Sequence, residues 1–89
     1  MRERVVEVVN ELGLHARAAA RLVHTANQFQ SNVVLRANGR ETEATSILGV
    51  LLLGAGHGAR LTVRCRGEDE QAAMAAVCDL IQGRFGEDA

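Results

Sequence analysis

The chain has 89 residues, 47% hydrophobic and 24% charged, a balance that suits one globular domain over residues 1–89 and excludes a disordered chain. A net charge of -1, two Phe and no Trp or Tyr count against nucleic-acid binding, which needs a basic surface and aromatic platforms. No apolar run approaches the roughly 18 residues of a membrane span, and the charged Met1-Arg2-Glu3-Arg4 start does not read as a signal peptide, so the expected location is cytoplasmic.

All ten basic residues are Arg, which removes Schiff-base chemistry and a phosphate-loop lysine. Cys65 and Cys78 form no Cys-x-x-Cys pair, and the three His residues form no close pair, so no metal site and no cofactor is expected. Buried free thiols are the expectation for both cysteines.

Pro is absent, and glycines mark the breaks between segments. Glu3 to Val9 reads as a strand with Val6 and Val8 on one face. From Ala16 to about Phe29, Ala19, Leu22, Val23, Ala26 and Phe29 follow helical spacing, while Arg17, Ala20, Arg21, His24 and Asn27 occupy the other face. Asn32–Ala37 and Arg40–Ala44 flank Asn38-Gly39, a strong signal for a tight hairpin. Ile47 to Leu53 reads as a short apolar helix capped by Ser46, with Ile47, Val50 and part of Leu51 turned inward. Arg60–Arg66 alternates strictly, with Leu61, Val63 and Cys65 inward. Asp69 is placed to cap a last helix over Glu70–Gln82, with Ala73, Val77 and Leu80 as its stripe and Gly83 as its stop. The order β-α-β-β-α-β-α predicts a two-layer α/β open-faced sandwich, sheet on one side and helices on the other.

The informative stretch is Gly13-Leu14-His15-Ala16-Arg17-Ala18-Ala19-Ala20. His15 stands where a loop becomes a helix, beside N–H groups that have no intrahelical partner. An anion fits there, and Arg17 can add a charge-assisted fork. The positive end of the helix also favours neutral imidazole, which leaves a nitrogen lone pair for phosphoryl transfer. The same residues equally fit a plain helix start with a solvated arginine.

Gly-Leu-His-Ala-Arg-x-Ala at the first helix and Ser46-Ile47-Leu48-Gly49-Val50 at the second closely resemble the histidine-containing phosphocarrier protein (HPr) family of the bacterial phosphotransferase system. The resemblance runs over nearly the whole chain, through Asn38-Gly39, Gly54, Gly58 and Gly67-Glu68-Asp69-Glu70. It implies a four-stranded antiparallel sheet covered on one face by three helices. It also implies a phosphoryl carrier and not an enzyme. His15 would take a phosphoryl group on Nδ1 from enzyme I and pass it to an enzyme IIA domain, with Arg17 stabilising that group. Ala18 stands where relatives usually have Pro, which keeps the helix and returns one N–H to the anion site.

Ser46 matches the residue that HPr kinase/phosphorylase modifies in those branches of the family that have this enzyme. Thr45 stands where relatives are commonly basic. Ala16, Ala20, Ile47, Leu48 and Leu51 would form the partner-binding surface of a monomer. A nitrogen-related regulatory paralogue with the same His15 chemistry is the alternative within the family. A metabolite-sensing α/β domain is the alternative outside it. His24 and the Gly-rich loop around His57 read as solvated.

Overall fold

The computed structural model describes residues 1–89 as β1 (Arg2–Glu7), α1 (Ala16–Ala26), β2 (Asn32–Ala37), β3 (Arg40–Glu43), α2 (Ile47–Leu52), β4 (Arg60–Arg66) and α3 (Glu70–Gln82). The strands form one antiparallel sheet in the order β1-β4-β2-β3, and the helices pack on its apolar face. The expected order and architecture both hold. No helix is long and apolar enough to cross a membrane.

The alternation along β4 explains its central position. Leu61, Val63 and Cys65 are fully buried, while Arg60 and Arg66 stay exposed. In register, Leu35 opposes Val63 and Val33 opposes Cys65, so β2 and β4 bury the same face. Val6 opposes Leu61 across the other edge of β4. Each such side chain contributes roughly 1.5–3 kcal/mol of burial. Asn38 and Gly39 both take positive φ, 54° and 76°, which lets a two-residue turn join β2 to β3. The Asn38 amide also donates to the carbonyls of Leu53 (2.9 Å) and Gly54 (3.2 Å), which ties the hairpin to the end of α2.

Three expectations need correction. The first helix ends at Ala26 and leaves Phe29 half-buried outside it. Asp69 draws the chain away there, accepting the N–H groups of Gln30 and Ser31 at 2.9 Å each. Asp69 therefore makes no side-chain cap for α3, and the Glu70 carboxylate reaches back to the Gly67 N–H instead (3.2 Å). The hydroxyl of Ser31, followed by the Gln30 N–H, holds the Asp69 carboxyl below its ordinary range. On α3 the buried stripe is Ala73, Met74, Val77, Cys78 and Ile81, with Leu80 only half-buried. Gly83 does stop α3, as its C-cap at φ -83°, and the left-handed position follows at Arg84 (φ 61°).

Both thiols are free and buried, as expected. Burial, followed by the nearby Cys78, pushes the Cys65 thiol up from 9.0 to about 11. An unfolded thiol ionises near its ordinary value, so alkali favours the unfolded chain. The contribution of Cys65 is therefore complete below about pH 9 and is lost as pH rises toward about 11. Thermal melts across that window should show the decline in wild type and a weaker one in Cys65→Ala. An equal decline in both would assign it to other groups.

Candidate functional site

His15 occupies the N-cap of α1 with extended backbone angles, φ -75° and ψ 178°. The loop before it is braced on the segment after α2. The Leu14 N–H donates to the Ala55 carbonyl (2.9 Å), Leu14 is buried, and Gly13 takes φ 66°. A Cβ at Gly13 would sit 2.7 Å from Gly56 Cα and 2.8 Å from the Ala55 oxygen. Only glycine permits this approach.

The two nitrogens of His15 have different partners. Nδ1 accepts the backbone N–H of Arg17 (3.2 Å), and Nε2 meets the Glu87 carboxylate. Glu87 is oriented in turn by Asn10, whose amide donates to it (2.9 Å) and to the Gly13 carbonyl (2.8 Å). The bond from Asn10, and after it the contact with His15, holds the Glu87 carboxyl below its ordinary range. It is therefore ionised at neutral pH and can only accept. That pattern assigns the ring proton to Nε2 and the lone pair to Nδ1.

The Nδ1 lone pair faces the first turn of α1, where the amides of Ala16, Arg17 and Ala18 lack intrahelical partners. The Arg17 guanidinium is exposed and takes part in none of the ion pairs of the chain. An anion bound to Nδ1 could therefore collect first-turn N–H groups, the positive end of the helix and an unpaired guanidinium. Glu11 and the C-terminal Ala89 line the same open hollow.

Glu87 and Asn10 were not legible as site residues. A sharp turn after α3 brings Glu87 in, with Arg84, Phe85 and Gly86 all left-handed at φ 61°, 54° and 78°. Left-handed backbone costs a bulky residue roughly 1–2 kcal/mol. Full burial of the Phe85 side chain, at roughly 1.5–3 kcal/mol, offsets this, and the Arg21 guanidinium donates to the Phe85 carbonyl. A solitary Phe between two glycines near the C-terminus was the available signal.

Ser46 caps α2, its hydroxyl accepting the Gly49 N–H at 3.1 Å. Gly49 lets α2 approach β3, since a Cβ there would lie 1.9 Å from Thr42 Oγ1. The inward residues of this helix differ from expectation. Val50 and, just beyond the helix, Leu53 are buried; Leu51 is half-buried and Ile47 is 46% exposed. The inward pair is Val50 with Leu53, three residues on at the C-cap of α2. Leu48 at 67% and Leu52 at 56% are exposed beside Ile47. Ala16 and Ala20 are exposed on α1, which packs against α2. Leu12, 71% exposed, adds an apolar group at the hollow containing His15. His24 and His57 are exposed and stand apart from this hollow.

Residues 2–83 match the family model for the PTS HPr component phosphorylation site. The chain is 52% identical over 88 residues to the phosphocarrier protein HPr of Xylella fastidiosa, covering 99% of each sequence. It is 39% identical over 85 residues to the phosphocarrier protein NPr of Shewanella violacea, covering 96% of this chain and 93% of that one. Its fold is similar to the crystal structure of HPr-C-His from Thermoanaerobacter tengcongensis, with a TM-score of 0.95, 38% identity and full coverage of both chains.

Proposed function

The chain belongs to the HPr phosphocarrier family of the phosphotransferase system, and on that basis we propose that His15 carries the phosphoryl group, received from enzyme I and passed to an enzyme IIA domain. One observation carries the assignment to His15. Its Nδ1 lone pair points at the open first turn of α1, with the unpaired Arg17 guanidinium alongside. A phosphoryl group arriving on Nδ1 exchanges the single N–H held by nitrogen for several held by its oxygens. Arg17 then closes over the developing charge, a stabilisation made stronger as the partner protein excludes water. The carrier works as a one-domain monomer in the cytoplasm, without metal or cofactor. The test is a reconstituted relay. Phosphoenolpyruvate and enzyme I should load one acid-labile phosphoryl group, and an enzyme IIA domain should remove it. Failure to load would overturn the reading.

The exposed residues Ile47, Leu48 and Leu52 supply the docking surface, together with Ala16, Ala20 and half-buried Leu51. Apolar side chains left open beside a reactive group favour burial by a partner. Leu48→Glu should slow transfer from enzyme I by roughly tenfold, about 1.4 kcal/mol, with an unchanged melting temperature. Normal transfer with a lowered melting temperature would make Leu48 a packing residue instead.

Ser46 acts as a regulatory phosphoserine in this reading, modified by HPr kinase/phosphorylase. A phosphate there sits well at the N-terminus of α2, so its effect falls on the adjoining apolar surface that enzyme I must cover. Ser46→Asp should keep the fold and slow His15 phosphorylation. Ser46→Ala should lose about 1 kcal/mol of cap stability and retain full transfer. Equal rates in wild type and Ser46→Asp would leave Ser46 as a cap alone.

The similarity to the Shewanella NPr favours a second reading, a nitrogen-related regulatory paralogue that uses the same His15 chemistry. Loading rates from the sugar-branch and nitrogen-branch enzyme I proteins separate the two.

A further inference from the structure

We propose that Glu87 is a positioning residue for phosphoryl transfer, holding His15 through Nε2 so that Nδ1 faces the incoming phosphorus and the charged ring is stabilised afterwards. This rests on the assignment of His15 as the phosphoryl carrier and extends it to the second ring nitrogen.

Three features of the structure carry the inference. The Glu87 carboxylate meets Nε2 while Nδ1 accepts the Arg17 N–H, so the ring is held from both sides in one orientation. Asn10 is fully buried, and its amide clamps the other carboxylate oxygen of Glu87 at 2.9 Å. The Asn10 Oδ1 is a buried oxygen with no partner, so this side chain is committed to its two donor bonds at a cost. Finally, the left-handed backbone at Arg84 and Phe85 is what turns the tail back toward His15. Strain of this kind persists where the surroundings over-determine it.

The chemistry needs such a partner. The Nδ1 lone pair forms the new nitrogen–phosphorus bond, and the bond from phosphorus to the donor breaks, its electron pair leaving with the donor. The Nε2 proton stays, so the product ring is a cation. Glu87 faces that proton on the opposite edge of the ring from the phosphoryl group. Arg17 and Arg21 from α1, Glu11 from the preceding loop and the C-terminal carboxylate of Ala89 are the other charged groups around the hollow. Among the carboxylates, Glu87 is the one in contact with the ring.

The test uses the full chain, labelled with 15N at histidine, as wild type, Glu87→Ala and Glu87→Gln. All three keep Phe85, the residue that anchors the tail. In the unphosphorylated wild type, the His15 Nε2 proton should be protected from exchange and visible as a downfield resonance. Glu87→Ala should lose that resonance, and Glu87→Gln should keep it, because an amide oxygen still accepts. With phosphorylated enzyme I as donor, Glu87→Ala should load about tenfold more slowly in kcat at unchanged KM. A retained resonance in Glu87→Ala, a lost one in Glu87→Gln, or a wild-type loading rate in Glu87→Ala would overturn the proposal. If wild type fails to load at all, the carrier reading has failed, and the resonance alone still decides whether Glu87 holds the ring.

Discussion

Replacing His15 with Ala should abolish phosphoryl uptake from enzyme I altogether, whereas His24→Ala and His57→Ala should load at the wild-type rate. The three histidines differ in their surroundings and not in intrinsic reactivity. His24 lies on the exposed face of α1, with Gln28 as its neighbour at 3.3 Å, and His57 lies in an exposed turn. Neither has a helix N-terminus or an arginine poised to take the oxygens of a phosphoryl group. His15 has both, and a fixed orientation besides. The alanine variant should lose only about 1 kcal/mol, the worth of its cap bond to the Arg17 N–H, because the ring is partly exposed and anchors no core contact. Phosphoryl uptake is read by a radiolabelled gel or the corresponding mass increase. Label remaining on the His15 variant would contradict the assignment.

Gly13→Ala should cost roughly 2–4 kcal/mol, a large part of the stability of a small domain. Two penalties coincide at this position. The backbone is left-handed at φ 66°, and the new methyl would lie 2.7 Å from Gly56 Cα, against main chain that cannot rotate aside. Relief requires separating the His15 loop from Ala55–Gly56, which breaks the 2.9 Å bond from the Leu14 N–H to the Ala55 carbonyl. Transfer should therefore fall further than the folded fraction accounts for, since His15 moves with its loop. Chemical denaturation and loading rates at matched folded fraction measure the two parts. A fully stable variant would mean that the loop is not braced as described.

The elements of the sheet were legible because local pattern and tertiary position agree in them. Strict alternation over Arg60–Arg66 and the Asn38-Gly39 turn each specify one backbone arrangement, and the chain adopts it. The end of α1 was not legible, since a carboxylate 39 residues away on Asp69 decides where the chain leaves the helix. A short apolar helix was likewise ambiguous about its inward face. In Ile47–Leu53 nearly every residue is apolar, so periodicity cannot select Val50 and Leu53 over Ile47. The candidate site divides in the same way. His15, Arg17 and Ser46 announce themselves through helix-terminal positions, which are properties of neighbouring residues. Glu87 meets His15, and Asn10 meets Glu87, only because burial of Phe85 folds the tail back; the contact of Glu87 with His15 spans 72 residues of sequence.

The most direct test of the account is phosphorus–nitrogen NMR correlation on the 15N-histidine protein after loading by enzyme I. The account predicts a single phosphoryl group bonded to Nδ1 of His15, with Nε2 still protonated. Phosphorus bonded to Nε2 of His15, or to either nitrogen of His24 or His57, would contradict it.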